Sequence, residues 1–173
     1  ILQKQEQNIG NSFILFKAIR EIFGENPEVQ YIVRIEDDVV FKENWLDILL
    51  TKWNEWSFKI INPGILCGCM ISNPYDRKLD ISTNYNPSFQ CVLIPRYIYE
   101  IDKEYFEGSW RFKTKCDLYM ERYCRESGFE CGLLGKSICQ HIGVDSIELQ
   151  RYGDYFSKDY GFLQRMDSSI FPP

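Results

Sequence analysis

Apolar residues recur at helical spacing in some stretches of the chain and run almost unbroken in others, and the two patterns alternate. Leu15, Ala18, Ile19 and Ile22 share one face of a helix predicted over 13–23, with Ser12 as its cap and Gly24 as a left-handed stop before Asn26-Pro27. Positions 29–35 form a β-rich apolar run, the pattern of a strand buried on both faces of a parallel sheet. Asn44 caps a second predicted helix through Trp56, whose apolar face comprises Trp45, Leu46, Leu49, Leu50 and Trp53. A second buried strand follows over 64–71.

Residues 73–87 are rich in Asn, Pro, Asp, Tyr and Ser and form a long connection suited to binding. Beyond it the pattern predicts a strand over 88–95, a helix over 117–127 stopped by Gly128, and a short strand over 129–134. The order α-β-α-β-loop-β-α-β implies an α/β fold with a mixed sheet flanked by helices. The tail after His141 carries little pattern.

With 173 residues and no repeat or flexible linker, the chain reads as a single domain over 1–173. Its 45% hydrophobic and 26% charged residues are enough to build a core, which excludes a mainly disordered chain. Twenty basic against twenty-five acidic residues give a charge of −5 with no Lys/Arg cluster, so nucleic acid is not an expected partner. No apolar run is long enough for a transmembrane segment. The seven cysteines contain no CxxC pair, and the nearest glycosylation sequon, Asn86-Pro87-Ser88, is disqualified by its proline. These features favour a reducing, cytoplasmic compartment, and a Golgi-type lumen remains compatible.

The chemistry centres on Glu36-Asp37-Asp38, at the carboxyl end of the first predicted strand. Open α/β sheets bind ligands at this edge. Adjacent carboxylates repel, and a hard divalent cation, Mg²⁺ or Mn²⁺, that also holds a diphosphate would relieve the repulsion. The plain alternative is a solvated acidic turn.

Three stretches resemble GT-A glycosyltransferases, especially the inverting, family-2-like enzymes. Residues 29–38 with the following Phe41-Lys42-Glu43-Asn44-Trp45-Leu46 are similar to the strand that ends in the Asp-x-Asp metal motif, and to its helix. Asn8-Ile9-Gly10-Asn11 resembles the family's Asn-x-Gly segment, and Ser137-Ile138-Cys139-Gln140-His141-Ile142-Gly143 its late Ser-x-x-Gln-His-x-Gly segment. The resemblance covers 8–145. It implies a GT-A-like fold lacking its first β-α unit, hence a chain truncated at its N-terminus.

The same resemblance implies a transferase that moves a sugar from a UDP- or GDP-sugar to a glycan or other hydroxyl acceptor, with inversion. The metal would be held by Asp38, supported by Asp37 and Glu36, and by His141, the sole histidine. Standing alone, such a histidine reads as a structural side chain. Asp117 matches the catalytic base at the start of the third helix, although Cys116 stands where the family has Glu. Glu121 is the reserve base. Arg34, Arg111 and Lys113 are candidates for the phosphates, Trp110 for stacking on a sugar, and Tyr75, Asp76 and Tyr85 for the acceptor. The competing readings are a sugar nucleotidyltransferase and a non-catalytic binding module of the same fold.

Overall fold

The computed structural model describes residues 11–37, 39–68, 80–83, 90–108 and 116–141; the side chains of residues 11–13, 82, 107–108, 116–118 and 140–141 lie outside that description. The elements in order are α1 (Asn11–Glu25), β1 (Tyr31–Ile35), β2 (Val39–Phe41), α2 (Trp45–Ser57), β3 (Pro63–Cys67), β4 (Ile81–Ser82), β5 (Cys91–Pro95), α3 (Arg96–Ile101), α4 (Lys103–Gly108), α5 (Cys116–Glu126), β6 (Glu130–Leu134) and β7 (Cys139–His141). Five strands form one sheet in the order β1-β5-β3-β6-β4, and β2 and β7 form a second, two-stranded sheet. The main sheet is mixed. Strand β5 is antiparallel to both β1 and β3, β3 is parallel to β6, and β4 is antiparallel to β6.

Side-chain alternation along β3 and β5 divides the core into two layers. Ile65, Cys67, Val92 and Ile94 face α1, α3, α4 and α5, where they meet Phe16, Ile19, Phe23, Ile98, Phe106 and Met120. Leu66, Cys91 and Leu93 face the other way, against Leu49, Trp53 and Trp56 of α2 and against Ile138 and Cys139 next to the small sheet. All five residues of β5 are buried. An unbroken apolar run is what a strand covered on both faces needs, and β3 and β5 are that strand type here. Among the described residues, no helix is long and apolar enough to cross a membrane.

Several expectations need correcting. The run at 29–35 yields β1, which lies at an edge of the sheet and pairs antiparallel with β5, not parallel at the centre. Its end residues, Tyr31 and Ile35, are exposed. Helix α1 starts at Asn11, so Ser12 lies inside it rather than at its cap, and Gly24 is helical rather than left-handed. Asn44 does occupy the N-cap of α2, in the left-handed region at φ 57°, but makes no side-chain capping bond. Leu46 is exposed rather than part of the packed face of α2. The predicted stop at Gly128 holds, because its φ of +75° is open to glycine at little steric cost.

What ends α1 comes from far along the chain. Arg96, at the start of α3, reaches back with Nε to the Val29 carbonyl at 2.6 Å, Nη1 to the Phe23 carbonyl at 2.8 Å and Nη2 to the Asn26 carbonyl. Its guanidinium also lies over the Phe23 ring, 4.9 Å from the centroid. The Arg96 amide donates to the Gln30 carbonyl at 2.8 Å. One planar cation thus satisfies carbonyls at the end of the helix and through the turn into β1, a task for a rigid fork of donors. Asn26 completes the stop by donating from Nδ2 to the Ile22 carbonyl at 2.9 Å.

Replacing Arg96 by Ala removes these bonds and should cost about 3 kcal/mol, since a hydrogen bond to a charged group is worth ~1.5–3 kcal/mol. Arg96→Lys should recover less than half of that loss, because one ammonium cannot span three carbonyls. Urea unfolding followed by tryptophan fluorescence measures both, and a Lys variant as stable as the parent would remove the fork from this account.

Candidate functional site

The acidic triplet is the connection between the two sheets. Strand β1 ends at Ile35, the Glu36 amide continues its ladder by donating to the Gln90 carbonyl at 3.0 Å, and two residues beyond Asp37 the chain enters β2 of the small sheet. Strand β2 pairs antiparallel with β7, with Val39 opposite His141, Val40 opposite Gln140 and Phe41 opposite Cys139. Cα atoms opposed in an antiparallel pair lie roughly 4.5–5.5 Å apart. The backbone of the sole histidine is therefore fixed beside the residue that follows Asp38.

Helix α5 reaches the same end of the main sheet by a different route. Strands β1, β3 and β6 all run in one sense, because β1 and β3 both oppose β5 and β6 parallels β3. The tight turn at Ser127-Gly128 reverses the chain from α5 into β6, so the opening residues of α5 lie towards the edge where those strands finish. Asp117 is the second residue of that helix. A helix N-terminus favours an ionised carboxylate in its first turn.

Two of the three carboxylates fall within the described residues. Arg34 Nη2 donates to Glu36 Oε1 at 3.0 Å, an i, i+2 pair on one side of the extended chain. Glu36 is thereby held by a cation of its own strand, and Arg34, expected at the phosphates, is engaged with it. Asp37 sits in the turn and is exposed. Asp38, Tyr75, Asp76, Tyr85, Trp110, Arg111 and Lys113 lie outside the described residues, as do the side chains of Asp117 and His141. Among the described residues, no group of three His, Cys, Asp or Glu is arranged to hold a metal ion. The reserve base Glu121 is half-buried and paired with Arg125.

One positioning residue has no obvious sequence signal beyond its place after a buried strand. Gly68 is buried, donates its amide to the Cys91 carbonyl at 2.8 Å, and accepts from the Ile138 amide at 2.9 Å. It ties β3 and β5 to the segment that becomes β7. A Cβ at this position would stand 2.8 Å from Ile138 Cδ1, 2.9 Å from its Cγ1 and 3.0 Å from Cys91 Sγ. The Lys42 amide donates to the Ile138 carbonyl at 2.9 Å, so the same residue also anchors the far end of β2.

The chain matches no protein-family model and no curated protein. What the arrangement can do is therefore argued from its residues: an acidic corner between two sheets, a histidine-bearing strand registered against it, and a helix start at the same sheet edge.

Gly68→Ala should push Ile138 outwards and loosen β7 from β2, at a stability cost of about 1–3 kcal/mol, as for other overpacked cores. Amide hydrogen exchange at residues 139–141 should then quicken by at least tenfold, while residues 92–94 of β5 keep their protection. Unchanged exchange at 139–141 would show that Gly68 does not set this register.

Proposed function

We infer that the chain is a GT-A-like, metal-dependent glycosyltransferase acting on a nucleotide sugar, and that it inverts the anomeric centre. The observation that carries this reading is the pairing of Val39 with His141, since it makes the end of β1 and the Gln-His segment neighbours although the sequence keeps them far apart. The mixed α/β sheet flanked by helices is compatible with that fold. The acidic corner also lies at the carboxyl end of β1, the edge at which such sheets take their ligands.

Asp38 and His141, with Asp37 in support, would hold Mn²⁺ or Mg²⁺. A neutral imidazole and carboxylates form an acceptable donor set for either ion, the imidazole favouring Mn²⁺. When bound, such an ion offsets charge on a departing nucleoside diphosphate. Glu36, neutralised by Arg34, would tune the local charge rather than ligate. Asp117 accepts the proton of the acceptor hydroxyl, as a carboxylate kept ionised by a helix start is suited to do. The hydroxyl attacks the anomeric carbon directly from the face opposite the diphosphate, so the configuration inverts. Cys116, standing in place of the expected Glu, favours one competing reading, a non-catalytic binding module.

Incubation with Mn²⁺ and a panel of UDP- and GDP-sugars should release nucleoside diphosphate, and Asp38→Asn or Asp117→Asn should remove that release. His141→Ala should weaken Mn²⁺ binding in a direct titration by at least the roughly 10–100-fold that loss of an outer-shell partner costs. Release of pyrophosphate instead would indicate a nucleotidyltransferase, and silence across the panel a binding module.

A further inference from the structure

Strand β1 ends the main sheet and, among the described residues, pairs on one side only, with β5. The ladder settles which of its groups are used there. The Glu36 amide donates to the Gln90 carbonyl and the Arg96 amide donates to the Gln30 carbonyl. In the unbroken antiparallel register between those two bonds, Ile32 and Arg34 therefore turn their N–H and C=O groups towards Ile94 and Val92. Tyr31, Val33 and Ile35 turn theirs the other way, and among the described residues none of those groups has a hydrogen-bond partner.

The described residues leave this edge unshielded. Sheet edges are ordinarily blunted by charge, proline, a bulge or a very short strand. The opposite edge is β4, which has two residues. Strand β1 has five, with no proline and no bulge in its register. Its one charged side chain, Arg34, is bonded to Glu36 and alternates to the opposite face from Tyr31, Val33 and Ile35. Tyr31 and Ile35 are exposed. The apolar margin continues onto α2, where Leu46, Leu50 and Trp53 form one row at i, i+4 and i+7. The Trp53 ring meets Tyr31 edge-on, with centroids 6.0 Å apart, and Leu46 is exposed at the other end of the row.

We propose that the outer edge of β1 is a docking surface for a second copy of this chain, paired antiparallel about Val33. The proposal does not depend on what the acidic corner does.

The edge is complementary to itself. Tyr31 and Ile35 lie symmetrically about Val33, and all three residues present their backbone groups outwards. A two-fold axis beside Val33 places Val33 opposite Val33 of the second copy, and Tyr31 opposite Ile35 of the second copy. Every outward N–H and C=O group of the three residues is then paired, whereas any shift of register leaves some of them open. Cross-strand contacts between an aromatic and a β-branched side chain are favourable, and this register makes two of them. The Leu46 row of α2 lies on the same face, so a partner strand of Tyr, Val and Ile meets apolar surface there. With Arg34 held by its own Glu36, no unpaired charge of β1 enters the interface.

Sedimentation equilibrium of the full chain should give twice the mass of one chain at high micromolar concentration and the mass of one chain on dilution. Ile35→Lys enters such an interface twice and should weaken association roughly tenfold. In the unaltered protein, exchange of the Tyr31, Val33 and Ile35 amides should slow as concentration rises, while the Ile32 and Arg34 amides, which face β5, stay protected at every concentration. That alternation decides alone should the variant not fold. A single-chain mass at all concentrations, a dimer indifferent to Ile35→Lys, or Tyr31, Val33 and Ile35 amides already protected in the dilute monomer, as when another stretch of the same chain fills the edge, would each overturn the proposal.

Discussion

The guanidinium of Arg96 gathers the Phe23, Asn26 and Val29 carbonyls, and through them it fixes where α1 stops, how the chain turns and where β1 begins. Helix ends buried without partners are costly, and this one lies beside the aromatic layer of Phe23, Tyr99 and Phe106. The same residue opens α3 directly after β5, so the side chain that finishes α1 adjoins the strand pairing with β1. Register and helix termination are consequently set by one interaction. The acidic corner inherits its position from it, because only Gln30 and the five residues of β1 separate Val29 from Glu36.

The rest of the architecture follows from covering both faces of β3 and β5. On one side an aromatic cluster fills the space beneath α1, α3, α4 and α5, with the Tyr105 and Tyr123 rings 4.3 Å apart and their hydroxyls donating to the Tyr119 and Ile98 carbonyls. Burial pushes the phenols of Tyr105 and Tyr123 up to about 12, so they remain neutral donors at ordinary pH. On the other side α2 contributes Trp53 and Trp56, and the remainder of that face is closed by Ile138 and Cys139. The small sheet therefore covers the core as well as neighbouring the acidic residues.

Much of this was legible in the chain, for definite reasons. The apolar runs of β3 and β5 announce strands covered on both faces, and Gly128 announces the end of α5 because little else tolerates its φ. Strand β1 lies at an edge although its composition resembles that of a central strand, because composition does not reveal which neighbours a strand will find. Strands β2 and β7 have three residues each and α3 and α4 six, too short to show a period. Arg96 looks like any charged residue until the carbonyls it serves are brought round to it. At the site, the triplet could be picked out by its place after a strand, and its tie to Arg34 by two-residue alternation. The partnership of Val39 with His141 is a long-range register that no local window contains.

Gly68 couples the two sheets mechanically. Its amide and carbonyl form a two-sided bridge, with Cys91 on the main sheet and Ile138 on the approach to β7, and there is no room there for a side chain. The small sheet cannot tilt without straining that bridge, and the chain of residues 36–38 would have to follow any tilt. A ligand that drew the corner inwards would thus load the two backbone bonds of Gly68, and the stiffness of the corner would be set by the smallest residue near it.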